Sequence, residues 1–362
     1  MDALETNVLP LDRKHRQSNI ELLRILAMVM IVAHHLGVHS DFDFTGNMLL
    51  VNRLWIHFLQ MGGKIGVNLF VLISGYFLVT ASSIKPGKAV KLWLQMLTYS
   101  VVLFWLLILL WDGIFDWNRF LGSFSPFLGN TWWFASTYFV LYLLSPFVNI
   151  WLKAMPKKTY QQFLLLLTLC WCVIPTFLKK SLESNSLLWF LYLYALAGYL
   201  RLHFDFSTVR AGVLYSVAAG IALLTFLLAT VLYSFGVTSV LDPVSFDYLY
   251  GMQQLPILLI SVALFVGVSA LKVSYSPVIN IVSSATFGVY LIHDYGAMRA
   301  VLWQHILKNW LYEDSVFLIP YTIAQVIAVF SVCTGIELLR IYLVERFYAK
   351  RLDCLTGFRK KE

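Results

Sequence analysis

Ten stretches of this chain run for about twenty residues with few charges, at roughly 20–39, 58–80, 90–111, 132–151, 161–178, 187–202, 211–235, 254–271, 284–306 and 316–344. An α-helix rises about 1.5 Å per residue, so some twenty apolar residues cross the ~30 Å hydrocarbon core of a bilayer. In lipid every backbone N–H and C=O has to be paired internally, and segments of this length pair them as helices. The sixth stretch is short, and the second and ninth carry polar interruptions. Composition agrees: 59% of the 362 residues are hydrophobic and 13% charged, against about 25% charged in a soluble domain. So little polar surface cannot cover a water-soluble globule. A cytosolic enzyme, a secreted disulfide scaffold and a disordered chain are excluded. The expected fold is an all-α integral membrane protein of about ten transmembrane helices. No internal repeat, low-complexity tract or soluble domain interrupts it.

The formal charge is +8, and its distribution reads as topology. With the N-terminus cytoplasmic, the inner segments carry Arg13, Lys14 and Arg16; Lys85, Lys88 and Lys91; Lys153, Lys157 and Lys158; Arg201 and Arg210; Lys272; and the tail Arg346, Lys350, Arg351, Arg359, Lys360 and Lys361. The outer segments carry only Arg53, Arg119, Lys179, Lys180 and Lys308. Lys and Arg accumulate on the cytoplasmic side, so both termini are expected inside, and a nucleic-acid partner is excluded. The layout is a basic segment 1–18, a membrane domain 19–345 and a basic tail 346–362. The first stretch carries Arg24 and two histidines without a small-residue cleavage site, so it reads as a retained helix rather than a leader. Cys170, Cys172, Cys333 and Cys354 show no metal-ligand spacing, so neither a disulfide framework nor a metal is expected.

Ionisable groups at membrane depth are costly unless they face a polar cavity or find a partner, which makes them functional candidates. The apolar stretches hold Arg24, His34, His35, Lys64, Asn68, His293, Asp294, Arg299, Glu337 and Arg340. Together they imply a water-accessible chamber among the helices. Arg24 and His35 are eleven residues apart, which returns to nearly the same helix face about 16 Å further along. His34 is turned some 100° away and reads as structural. Glu21 precedes Arg24 by three and is placed to hold its guanidinium. Lys64 enters to a depth similar to His35, and the neighbouring glycines allow either close packing or a broken helix. Glu337 and Arg340 form an ion pair by default. Trp132, Trp133 and Phe134 read as an outer interfacial belt, with stacking on a sugar as the alternative.

The run Asn19-Ile-Glu-Leu-Leu-Arg24-Ile-Leu-Ala-Met-Val-Met-Ile-Val-Ala-His-His35 resembles the Arg-x10-His signature of the bacterial membrane acyltransferase family 3. The likeness continues through Gly66-Val-Asn-Leu-Phe-Val-Leu-Ile-Ser-Gly-Tyr76, Thr131-Trp-Trp-Phe, Tyr142-Leu-Leu-Ser-Pro146 and Gly288-Val-Tyr-Leu-Ile-His293. These blocks lie in order over nearly the whole chain. The resemblance implies an O-acetyltransferase in the bacterial cytoplasmic membrane, whose relatives act on surface polysaccharides, lipopolysaccharide, peptidoglycan or antibiotics. It would move an acyl group, usually acetyl, from cytoplasmic acetyl-CoA to a glycan hydroxyl on the outer side. The family's Arg and His map onto Arg24 and His35. Asp294 follows His293 where many relatives have proline. An appended outer hydrolase-like domain, which some peptidoglycan acetylators carry, is not seen.

Acyl transfer needs a base, a held thioester and a stabilised oxyanion. His35 is the expected general base, since imidazole titrates near neutrality. Arg24, Lys85, Lys88 and Arg340, with Lys91, are expected to hold coenzyme A phosphates, for which guanidinium is well shaped. Lys64, Asn68, His293, Asp294 and Arg299 are expected to orient the acceptor, with Lys64 or Arg299 also suited to an oxyanion. Direct transfer and a transient acyl-histidine both fit these residues. The alternatives are a transporter or lipid-linked glycan exporter, which also lines midplane cavities with ionisable groups, and a non-catalytic subunit of a polysaccharide synthase.

Overall fold

The computed structural model describes residues 17–44, 48–112, 115–127, 129, 131–178, 182–234, 238–239, 242–243, 248–345 and 347–348. The basic residues Arg13, Lys14, Arg16, Lys179, Lys180, Arg346, Lys350, Arg351, Arg359, Lys360 and Lys361, together with Cys354, lie outside the described residues, as do the segment 1–16 and most of the expected tail.

In chain order the elements are α1 (Ser18–His39), α2 (Leu50–Leu78), α3 (Pro86–Trp111), a short α4 (Trp117–Ser123), α5 (Trp133–Ala154), α6 (Lys157–Leu178), α7 (Ser186–His203) and α8 (Ala211–Ser234). A two-residue antiparallel pairing follows, β1 (Thr238–Ser239) with β2 (Asp242–Pro243), Thr238 lying opposite Pro243. Then come α9 (Leu255–Ser269), α10 (Pro277–His293), α11 (Gly296–Ala300) and α12 (Leu318–Glu345).

Among the described residues eight helices are long and apolar enough to cross a membrane: α1, α2, α3, α5, α6, α8, α9 with the turn leading into it, and α12. The other two expected spans are α7, with 18 residues, and α10, with 17. Both are interior. On α7, Trp189, Phe190, Tyr192, Leu193, Tyr194, Ala195 and Ala197 are all buried, and on α10 so is nearly every residue from Ala285 to His293. A helix that touches protein rather than lipid has no need of a continuous apolar surface. By contrast only 11% of the α8 span is buried, against 67% for α2. The large apolar side chains that α8 exposes, such as Leu223 and Leu224, are what a lipid-facing helix presents.

The centre of the bundle is α1 against α2, with α10 and α12 on the other side of α1 and α7 behind α2. The approach of α1 to α2 depends on Gly66. A Cβ there would stand 2.5 Å from the Ala27 carbonyl oxygen and 2.8 Å from the Ile31 side chain. Since α2 runs unbroken for 29 residues, its glycines serve close packing rather than a break.

The ninth stretch does break, against the expectation of one helix over 284–306. Pro277 opens α10 under a Ser276 cap, and the helix closes after His293, where the Asp294 N–H bonds the Tyr290 carbonyl at 3.1 Å. Tyr295 is extended before α11 begins at Gly296. The break turns Asp294 back onto α1.

Candidate active site

Two helix ends meet at His35 and His293. Nδ1 of His35 lies 2.9 Å from Nε2 of His293, whose own Nδ1 lies 2.6 Å from the Val289 carbonyl oxygen. A carbonyl only accepts, so Nδ1 of His293 carries its hydrogen. In the neutral ring Nε2 then accepts from Nδ1 of His35. That assignment leaves Nε2 of His35 with a lone pair, and among the described residues it has no hydrogen-bond partner. Oδ1 of Asp294 lies 3.5 Å from the same Nδ1 and accepts from Nε of Arg299 at 2.8 Å. His293 and Asp294 are fully buried, while the His35 side chain keeps 13% of its surface open. The result is an imidazole held on one nitrogen, presented on the other, and flanked by a carboxylate whose charge a guanidinium offsets.

The opening of His35 leads into a cavity of about 30 Å³ bordered by Met28, Ile31, Lys64, Val67, Phe70, Trp133, Phe134, Phe287 and Tyr290. A larger cavity of about 480 Å³ adjoins it, sharing Phe70, Phe134 and Phe287 and lined further on by Arg24, Ser74, Lys91, Gln95, Ser283 and Arg340. On the opposite side, sharing His34 and Lys64, lies one of about 440 Å³ with Asp41, Phe44, His57, Gln60 and Tyr250 in its wall. The chamber is therefore two vestibules that adjoin a narrow waist between them, with Arg24 at one end, Lys64 at the other and His35 at the waist.

The sequence from residue 17 to residue 338 matches the family model described as an acyltransferase domain. That match takes in α1, α10 and the chamber lining except Arg340, Ile341 and Glu345. The chain belongs to acyltransferase family 3. Comparison with curated proteins and with solved structures finds no match.

Within this family member the expected site residues divide. Arg24, His35 and Lys64 line the chamber. Nη1 of Arg24 is held by Oε2 of Glu21 at 2.5 Å, as its spacing implies, and Ser283 donates to the same carboxylate oxygen. Among the described residues no partner takes the Nε and Nη2 hydrogens of Arg24. Nζ of Lys64 stands 5.0 Å over the Trp133 ring, a cation–π contact. His293, Asp294 and Arg299 act on His35 from behind rather than facing the vestibules.

Three expectations are corrected. Asn68 is fully buried, its amide donating to the Met252 carbonyl at 2.9 Å and its oxygen accepting from Nε1 of Trp189 at 3.0 Å, so it braces α2 against α7. Arg340 borders the Arg24 vestibule but is committed to Glu337 through Nε and Nη2 at 2.8 Å each, to Glu345 at 2.6 Å and to the Tyr348 hydroxyl at 3.3 Å. This is the ion pair rather than a phosphate anchor. Lys85, at the N-cap of α3, and Lys88, on its first turn, are exposed and do not line the cavity, whereas Lys91, one turn on, lines it and pairs with Glu345. The belt is corrected as well. Trp132 is fully buried against Tyr295 and Phe134 against Phe190 and Tyr290.

Two features escaped the sequence reading. Glu337 is a hub that also accepts from Gln95 and the Tyr99 hydroxyl, at 2.9 and 2.6 Å, and Gly288 makes room for it. His39, one turn beyond His35, completes a group with His35 and Asp294 whose ligand atoms lie within 4.8 Å, the one candidate metal cluster among the described residues. The His-x3-His spacing was readable in the sequence. The group suits a cation poorly, because Arg299 already donates to Asp294 and Nδ1 of His35 is taken by His293.

Proposed function

We propose that this protein carries an acyl group, acetyl in particular, from acyl-CoA at the Arg24 vestibule to a glycan hydroxyl at the Lys64 vestibule. In this reading ten helices span a bacterial cytoplasmic membrane with both termini inside. The Arg24 end then faces the cytoplasm, as the Lys and Arg bias implies. The observation that carries the proposal is the unpartnered Nε2 of His35 at the waist between two vestibules, its other nitrogen fixed by His293.

In the proposed reaction Arg24, with Lys91 nearby, receives the coenzyme A phosphates, and the pantetheine arm covers the roughly 16 Å of helix from Arg24 to His35. The acceptor hydroxyl gives its proton to Nε2 of His35 as its oxygen bonds to the thioester carbonyl carbon. The C–S bond then breaks, and the imidazolium returns the proton to the leaving sulfur. Ester and free coenzyme A thiol are formed, and His35 ends neutral. While protonated, His35 is stabilised by Asp294 close to Nδ1, and Lys64 is placed to offset charge on the carbonyl oxygen.

The test uses inside-out membrane vesicles given acetyl-CoA labelled in the acetyl group. Intact protein should release coenzyme A and leave base-labile label in the glycan fraction. His35→Ala should lower that rate by about 10²–10⁴-fold. A folded His35→Ala protein with full activity would remove the proposal, and no turnover by intact protein with native glycan present would favour an exporter.

A further inference from the structure

We infer that the waist is an acyl-length gauge: Phe70, Phe134 and Phe287 limit the transferred group to two carbons. The inference rests on the acyl-CoA reading above and names what that site selects. The three rings come from α2, α5 and α10, and each borders both the Arg24 vestibule and the waist. They therefore form the partition between them. The cavity falls from about 480 to about 30 Å³ across it, leaving room for little more than one or two water molecules.

The partition is held in place. Phe134 is 7% exposed, meets Phe70 edge-on at 6.1 Å, and packs on Phe190 at 5.5 Å, Tyr290 at 5.6 Å and Tyr138 at 6.0 Å. Phe287 lies 6.4 Å from Tyr290. On the far wall Met28, Ile31 and Val67 are buried in the core. Interiors packed in this way do not yield freely to added volume.

For a hydroxyl to attack beside Nε2 of His35, the carbonyl and everything bonded beyond it have to share the waist. An acetyl group adds one methyl. Each further methylene has to displace a ring, the buried wall or the acceptor that enters from the Lys64 side. One methylene in an apolar pocket is worth about 10- to 200-fold in discrimination, so acetyl-CoA should exceed propionyl-CoA by that factor and butyryl-CoA by more.

The experiment measures kcat/KM by coenzyme A release in vesicles, with acetyl-, propionyl- and butyryl-CoA in turn. It compares intact protein with Phe287→Leu and Phe70→Leu. Both rings are only partly buried, and leucine keeps the wall apolar. Two positions guard against one variant failing to fold. The expected result is strong preference for acetyl in intact protein and an acetyl-to-propionyl ratio at least about tenfold smaller in a folded variant. Equal use of butyryl-CoA by intact protein, or unchanged ratios in both folded variants, would overturn the gauge and leave the acyltransferase reading standing. Failure of intact protein to consume any acyl-CoA would overturn both.

Discussion

The Nδ1 of His35 and the Nε2 of His293 lie 2.9 Å apart although 258 residues separate them in the chain. The bond ties the far end of the first helix to the last turn of α10. It also assigns the hydrogens, because His293 is anchored in turn to the Val289 carbonyl. His293→Ala should leave His35 in place by packing but with its tautomer unfixed. Losing one buried hydrogen bond costs about 1–3 kcal/mol, so kcat should fall roughly 10- to 100-fold with little change in KM for the acyl donor. His293→Gln, which still offers an acceptor to Nδ1, should recover part of the loss. Equal kcat in the intact and Ala proteins would show that His35 needs no orienting partner.

Asp294 is a buried carboxylate with Arg299 as its charged partner. Removing one member of a buried pair leaves the other charge uncompensated, at about 3–5 kcal/mol. Arg299 is 31% exposed, which places Arg299→Gln towards the lower end. Thermal unfolding in detergent should show a lower midpoint for Arg299→Gln, with much of the loss recovered in Arg299→Gln combined with Asp294→Asn. Additive losses in the double variant would mean that the pair is not coupled.

The helices were readable because lipid imposes length and apolarity directly on sequence, and the edges of α1, α5 and α12 fall within a few residues of their apolar stretches. Interior geometry was less legible. The break after His293 lies inside an apolar stretch that continues to position 306, and only the tertiary contact with α1 explains why Asp294 turns back. Single residues at membrane depth were also ambiguous. Arg24, Asn68 and Arg340 look alike as polar intrusions, yet Asn68 is consumed by Met252 and Trp189, whose sequence separation hides them, whereas Arg340 is consumed by Glu337, Glu345 and Tyr348 within eight residues of it. The waist rings sit in three different helices and look like ordinary core phenylalanines along the chain.

Asn68 provides a contrast to the histidines. Its side chain bonds Met252 and Trp189 rather than facing the chamber. Asn68→Ala should therefore lower the unfolding midpoint, by the roughly 1–3 kcal/mol of a buried group left unsatisfied, while the folded fraction keeps its KM for both substrates. A selective rise in the acceptor KM would return Asn68 to the binding site.

Gly288 faces Glu337 so closely that a Cβ would collide with its carboxylate. That carboxylate accepts from Gln95, Tyr99 and Arg340 at once, so Gly288→Ala has to disturb three helices together. Overpacking costs about 1–3 kcal/mol, and a displaced hub adds its unpaired donors. Gly335 on α12 has open space around it, so Gly335→Ala should be neutral or stabilising. Similar unfolding midpoints for the two alanine variants would show that α10 and α12 can separate without cost.

Arg24 keeps unspent donors at its vestibule, whose other cations are paired, Lys91 with Glu345 and Arg340 with both Glu337 and Glu345. If it anchors the coenzyme A phosphates, Arg24→Ala should raise the KM for acetyl-CoA and leave the acceptor KM unchanged. Arg24→Lys should rescue only in part, because an ammonium offers a point charge where guanidinium offers a planar fork. The donor KM of intact protein should also rise with salt, as screening weakens a contact between charges at a water-filled mouth. Arg24→Ala should flatten that dependence, whereas a purely structural role through Glu21 would lower stability and leave the salt slope intact. The slope therefore separates an anion anchor from a helix brace, which the activity of Arg24→Ala alone does not.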